Sequence, residues 1–160
     1  PQHIFLADQS VAENIALGMP EAEIDQDAVE HAARLANLHE FAVNELPMGY
    51  KTAIGERGVR LSGGQRQRIG IARALYRDPS VLVFDEATSA LDNATEQSVM
   101  DAINNLAGQK TIFLVAHRLT TVKDCDCICV FSAGELVEVG SWDDLVSHSE
   151  HFNRIAAGAI

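Results

Sequence analysis

Apolar positions change their spacing partway along the 160 residues. In the first half they recur at helical intervals. Residues 10–18, "SVAENIALG", read as a short helix with Ser10 as cap and Gly18 as stop. "DQDAVEHAARLANL" (25–38) puts Ala28, Val29, Ala32, Leu35 and Ala36 on one helical face. "HEFAVNEL" continues as a further helix stopped by Pro47, and 47–60 is rich in Gly and polar residues, so it reads as loop or a short extended piece. "LSGGQ" (61–65) then runs into a helix that ends at Asp78-Pro79.

Beyond Pro79 the texture is that of strands alternating with helices. "VLVF" (81–84) and "TIFLVA" (111–116) are continuous apolar runs, expected for strands covered on both faces. Between them "NATEQSVMDAINNLAG" (93–108) reads as a helix with a Gly stop. "CICVFSAGELVEVG" (127–140) predicts two strands around the turn Ser132-Ala133-Gly134. "SWDDLVSH" and "EHFNRIAAG" finish as helices, with Ser141 as N-cap. Strand–helix–strand order implies an α/β fold with a parallel sheet and helices on its faces. The helical first half forms a separate layer, so the expected division is 1–78 and 79–160.

Composition is that of a globular domain, 47% hydrophobic and 22% charged. No apolar run approaches the roughly 18 residues of a membrane span, and "PQHIFLADQS" has no basic or apolar leader pattern. It also lacks an initiator Met, which fits a chain cut from something longer. A net charge of −11 argues against nucleic acid as a partner. Six of the twelve basic residues nevertheless crowd around LSGGQ: Arg57, Arg60, Arg66, Arg68, Arg73 and Arg77. Most of them read as a solvated helix face, while the cluster makes an anion nearby electrostatically reasonable. Cys125, Cys127 and Cys129 fall on one side of a strand and read as buried filler rather than a metal site, which wants Cys-x2-Cys pairs on turns. Unpaired thiols suit a reducing compartment.

Three stretches carry chemistry. In LSGGQ, Gly63 and Gly64 let a ligand approach backbone N–H groups at a helix N-terminus, Ser62 offers a hydroxyl, and the helix dipole favours an anion. "VLVFDE" ends an apolar strand in two carboxylates, at the edge where open α/β sheets bind ligands. Asp85 there can reach Mg²⁺ directly or through water, and Glu86 can orient or deprotonate an attacking water. "TIFLVAHRLT" ends a second strand at the same edge with His117, suited to stabilising charge on a terminal phosphate. His3, His31, His39, His148 and His151 read as incidental.

These stretches together resemble the C-terminal part of an ABC-transporter ATPase domain, over nearly the whole chain. "LSGGQRQRIGIARAL" resembles the family signature and its helix, "VLVFDE" the Walker B strand, "SALD" (89–92) the D-loop, His117 the switch histidine, and Gln2 in "PQHIF" the Q-loop glutamine. The resemblance implies a partial RecA-like P-loop NTPase core, here 79–160, beside the family's α-helical subdomain. It implies ATP and Mg²⁺ as cofactors, with Asp85 and Gln2 at the metal and Glu86 and His117 catalytic. Leu61, Ser62, Gly63, Gly64 and Gln65 would cover the γ-phosphate of an ATP held by a second ATPase domain in a head-to-tail dimer, with Asp92 linking the two sites. "IGERG" (54–58) resembles the exporter x-loop, so Glu56 and Arg57, with the Q-loop, would contact transmembrane domains. The texture of "ENIALG" and "HRLTTV" is also similar to exporters, among which the general texture is similar to flippases for lipid-linked sugars and to peptide or lipid exporters. Intact motifs favour a homodimer at the cytoplasmic face of the cell membrane.

No Walker A is present. Lys51-Thr52 follows Tyr50 and Lys110-Thr111 follows Gln109, where Gly-x4-Gly-Lys-Ser/Thr needs glycine, and Lys123 precedes Asp124. The chain alone is therefore expected to be inactive, with apolar sheet surface left exposed and weak stability or association in solution. A soluble ABC ATPase without membrane partner, and a non-catalytic interaction module, are the alternatives. The transported substrate is not legible.

Overall fold

A computed structural model describes residues 4–55, 59, 61–85, 93–116 and 119–156. They fall into two compact units, 1–115 and 116–160. The fold is α/β, as the alternation of strands and helices predicts.

The first unit opens on β1 (Gln9–Ser10) and α1 (Val11–Ile15). Ser10 caps α1 by accepting from the Glu13 N–H, while the Glu13 carboxylate accepts from the Ser10 N–H. The Ser10 hydroxyl also donates to the Glu13 carboxylate at 2.6 Å, and this bond, followed by that from the Ser10 N–H, holds the Glu13 carboxyl below its usual range. Helix α2 (Gln26–Leu35) starts at Asp25, whose carboxylate accepts from Asp27 and Ala28 N–H, and presents Val29, Ala32 and Ala33 inward. Helix α3 (His39–Asn44) follows, and a single 3-10 turn (Gly49–Lys51) leads into β2 (Ala53–Ile54). β1 and β2 pair antiparallel, Gln9 with Ile54 and Ser10 with Ala53. The segment 47–60 was expected to be loop or a short extended piece, and β2 is that piece.

Helix α4 (Gly63–Leu75) carries Ile69, Ile71, Ala72 and Leu75 into the core shared with α1 and α2. Strand β3 (Val81–Asp85) pairs in parallel with β4 (Thr111–Val115) across a crossover through α5 (Asn93–Asn104). Leu82 and Phe84 join that core with Val99, Met100, Ile103 and Leu106. The opposite face of the pair is open: Val81, Val83, Phe113 and Val115 are each more than half exposed. Coverage of both faces, expected from the continuous apolar runs, is thus not what the described residues show. The exposed apolar sheet surface expected for a chain lacking strands is there.

The second unit contains α6 (Leu119–Val122), β5 (Ile128–Ser132), β6 (Glu135–Gly140), α7 (Trp142–His148) and α8 (Glu150–Ala156). β5 and β6 form a hairpin whose turn places Ala133 and Gly134 at φ of 50° and 83°. Ser141 caps α7 with Asp144 as its reciprocal partner. Ile128, Val130, Leu145 and Phe152 make a small core, with Trp142 meeting Phe152 edge-on. The cysteines depart from expectation. Cys125 is half-buried outside any strand, Cys127 precedes β5 and is exposed, and Cys129 faces out because Ile128 and Val130 take the inner face. Burial still raises the Cys125 thiol pKa. Among the described residues no group of three or more His, Cys, Asp or Glu is placed to hold a metal. No described helix is long and apolar enough to cross a membrane.

Candidate phosphate-binding site and its helix

The Ser-Gly-Gly-Gln sequence builds its own helix start. Ser62 is extended, and its Oγ accepts from the Gln65 N–H at 3.2 Å. The Gln65 carboxamide oxygen in turn accepts from the Ser62 N–H at 2.7 Å. A hydroxyl is donor as well as acceptor, so capping leaves the Ser62 proton available to an incoming oxygen. The first intrahelical bond runs from the Arg66 N–H to the Ser62 carbonyl at 3.1 Å. The N–H groups of Gly63 and Gly64 precede it and have no acceptor within the helix. Gly63 is exposed and Gly64 buried, so the open side of the turn lies over Gly63. Thirteen residues of aligned peptides end here, and the positive end of their dipole is directed at the same spot.

The loop ahead of the helix is held from both sides. The Leu61 side chain is buried in the core, and its carbonyl accepts from Arg66 Nη1 at 2.6 Å. Arg57 and Arg60 of the cluster lie outside the described residues, and the other four arginines are not simply a solvated face. Arg66 and Arg77 are exposed, but Arg68 and Arg73 are half-buried. Arg68 donates to the Asn37 carbonyl at 3.4 Å, and Arg73 donates to the carbonyls of Asn14 and Phe5 at 2.8 and 2.9 Å. Burial lowers the Arg73 pKa, the direction expected of a desolvated cation.

Asp85 closes β3 at its carboxyl end, exposed, level with Val115 of β4. Two parallel strands thus end side by side. Glu86 and Asp92, which follow β3, lie outside the described residues, as do His117 after β4, Gln2, Glu56 and Arg57. The structure brings Leu61, Ser62, Gly63, Gly64 and Gln65 together at one helix start, with Asp85 on a separate element of the same unit. Asn14 is the residue that reading the sequence missed. It is fully buried in α1 with its carboxamide bonded to Ala7, Gln9 and Ser10. An Asn flanked by Ile15, Ala16 and Leu17 was the available signal.

To a nucleotide phosphate the helix start offers two backbone donors, one hydroxyl proton and no carboxylate side chain among its own five residues. That donor set suits an oxyanion. Asp85 supplies one carboxylate oxygen donor of the kind Mg²⁺ prefers.

Comparisons with known proteins identify the family. The family model described as ABC transporter matches residues 1–89. The chain is 47% identical over 154 residues to multidrug resistance protein pgp-1 of Caenorhabditis elegans, covering 96% of this chain and 12% of that protein. It is 47% identical over 151 residues to the ATP-dependent lipid A-core flippase of Alkalilimnicola ehrlichii, covering 94% of this chain and 25% of the flippase. The structure of a bacterial Atm1-family ABC exporter with ATP bound superposes with a TM-score of 0.84 at 40% identity, covering 99% of this chain and 27% of that one. The chain belongs to the ABC transporter family. It has the fold of part of that family's nucleotide-binding domain, a partial RecA-like core beside a helical subdomain, and spans about a quarter or less of the relatives named here.

Proposed function

We propose that this chain is the signature-bearing part of the ATPase domain of an ABC exporter, and that it acts on two different nucleotides. The observation that carries the reading is the start of α4: a capped Ser62 that keeps its proton, beside the N–H groups of Gly63 and Gly64. With Leu61 and Gln65 fixing the loop, these donors hold the γ-phosphate of ATP bound mainly by a second, identical domain. Asp85 and Gln2 hold Mg²⁺ at the chain's own nucleotide, supplying charge neutralisation there. Glu86 orients and deprotonates water, His117 stabilises the terminal phosphate, and Asp92 links the two sites. Residues 1–78 are the helical, signature-carrying part and 79–160 the core part. Gln2, Glu56 and Arg57 face the transmembrane domains, which sets the domain at the cytoplasmic side of the membrane. The names of the lipid A-core flippase and of the multidrug resistance protein pgp-1 support transmembrane export or lipid and oligosaccharide flipping by the intact protein.

The chain contains no Gly-x4-Gly-Lys-Ser/Thr segment, so alone it hydrolyses no ATP. The test compares Mg-ATP hydrolysis by the 160 residues with that of a longer protein of the same reading frame that includes such a segment. The expected result is a silent short chain and an active long one, with Glu86→Gln stopping turnover while nucleotide still binds. Tight ATP binding by the short chain alone would overturn the division between two nucleotides.

A further inference from the structure

The segment 4–10 and helix α4 are joined by a polar clamp built on the buried Asn14. The Asn14 carboxamide is saturated: its Oδ1 accepts from the Ala7 N–H at 2.9 Å, and its Nδ2 donates to the carbonyls of Ala7 and Ser10 at 3.0 Å and of Gln9 at 3.3 Å. From the last turn of α4, Arg73 reaches the other side of the same joint. Its Nε donates to the Asn14 carbonyl at 2.8 Å, one Nη donates to the Phe5 carbonyl at 2.9 Å, and that same nitrogen is 3.5 Å from Asn14 Oδ1. Ile4 lies over Gly70, one turn earlier on α4, so closely that a Cβ there would stand 2.7 Å from its Cδ1.

Arg73 is an odd choice if stability alone were at stake. It is half-buried, its pKa is lowered by desolvation, and neither ion pair among the described residues includes it. Desolvating a guanidinium costs free energy that its bonds to the two carbonyls must offset. What a guanidinium on two carbonyls adds is fixed direction: each bond has a length and an angle, so one relative placement of segment and helix satisfies both.

The same segment is tied on its far side. β1 pairs with β2, the Val11 N–H donates to the Thr52 carbonyl at 3.0 Å, and Gly55 abuts Ala7 and Asp8. Gln2 precedes this block and Glu56 and Arg57 follow it. Arg73 stands eleven residues from Ser62, about 17 Å along a helix.

We infer that Asn14 and Arg73 are positioning residues that lock the segment 4–10 and α4 into one rigid body, so that displacement on either side of the block is delivered to Ser62, Gly63 and Gly64. Neither side chain touches nucleotide. The mechanical part stands on the bonds above, and the consequence for turnover rests on the functional reading already proposed.

The experiment uses the intact protein that carries this chain, with Asn14→Ala, Arg73→Gln and the double variant. Amide exchange is followed at Ala7, whose N–H is held by Asn14, and ATP turnover is measured alongside. Each single variant is expected to speed exchange at Ala7 by about tenfold while α2 stays protected. Each should lower kcat roughly tenfold with KM for ATP within about twofold, and the double variant should be no worse than either single one. Should Arg73→Gln fail to fold, Arg73→Lys keeps the charge and one of the two carbonyl bonds, and an intermediate loss of kcat is expected. Unchanged exchange at Ala7 overturns the clamp. Faster exchange with unchanged kcat and a lower melting temperature reduces it to a structural contact, which also overturns the inference. A wild-type protein without ATP turnover sinks the functional reading instead, and leaves the exchange result to decide the clamp.

Discussion

Gly55 stands against Asp8 with no room for a methyl group. A Cβ at Gly55 would lie 2.5 Å from an Asp8 carboxylate oxygen and 2.9 Å from the Ala7 carbonyl oxygen, and its φ of 110° is one that L side chains rarely adopt. The Ala7 carbonyl is backbone, already bonded to Asn14, and cannot swing away. Gly55→Ala is therefore expected to cost about 2–4 kcal/mol, combining backbone strain with a broken β1–β2 strap. Urea denaturation monitored by circular dichroism measures it, and a loss under about 1 kcal/mol would show the strap yields.

Gly70 has a close neighbour of a different kind. The atoms a Cβ would meet belong to the Ile4 side chain, which can turn aside. Alanine also gains about 1 kcal/mol over glycine in a helix interior. The two effects offset, so Gly70→Ala should change stability by no more than about 1 kcal/mol in the same assay. A cost near that of Gly55→Ala would mean Ile4 is as rigid as backbone.

Capping and phosphate binding by Ser62 can be separated. Ser62→Ala loses the cap and should cost about 1 kcal/mol. Ser62→Asp restores an acceptor for the Gln65 N–H at the positive end of α4, so stability should stay within about 0.5 kcal/mol of wild type. The new carboxylate would face the phosphate, and turnover of the intact protein should fall roughly a hundredfold. Normal turnover in Ser62→Asp would mean no phosphate approaches this helix start.

Tyr50 predicts an alkaline weakness. Its hydroxyl lies 2.8 Å from His39 Nδ1, and burial, followed by the negative charge of Glu30, pushes its pKa up to about 12. In the unfolded chain the phenol titrates near 10. Between those values the native state keeps a proton the unfolded state has lost, so the contribution is complete below about pH 10 and disappears as pH rises towards 12. With the ring only partly buried, the expected loss is about 1 kcal/mol between about pH 9 and pH 12. Tyr50→Phe should flatten the stability profile across that window, and an unchanged slope would assign the alkaline loss to other groups.

The open face of β3 and β4 predicts association. Val81, Val83, Phe113 and Val115 are 51%, 67%, 58% and 51% exposed; Val83 and Phe113 are register partners, and Val81 and Val115 each lie two residues along from one of them on the same strand face. The 160-residue chain should self-associate as concentration rises in sedimentation equilibrium, and Val83→Ser with Phe113→Ser should reduce it. A monodisperse, high-melting monomer would count against this.

Much of the fold is legible locally. Ser62 with Gln65 and Ser10 with Glu13 each spell a capping box, a four-residue pattern complete in itself. The strand–helix–strand order similarly announces the parallel pair. What reading missed depends on partners far away or on phase. An apolar run looks the same whether one or two faces are covered, so the exposure of Val83 is invisible in "VLVF". In "CDCICV" the cysteines and Ile128 are comparably apolar, and only packing against Leu145 and Phe152 decides that Ile128 and Val130 face inward. Asn14 and Arg73 meet across 59 residues, and no window of sequence contains both. At the candidate site, the helix start at Ser62 was readable from its capping pattern, and the place of Asp85 from the acid that ends an apolar run.

That long reach also sets an order of events during synthesis. Asn14 and the Phe5 carbonyl leave the ribosome well before Arg73 exists, and at typical elongation rates the gap is several seconds. Through that interval the segment 4–10 has no anchor on α4, and Asn14 has only its near neighbours. The hairpin of β5 and β6 joins residues at most a dozen positions apart and can close within microseconds of emerging. The nascent chain therefore completes its older half late and its younger half at once. Substitutions at Arg73 would accordingly show first as a lower yield of folded chain from the ribosome.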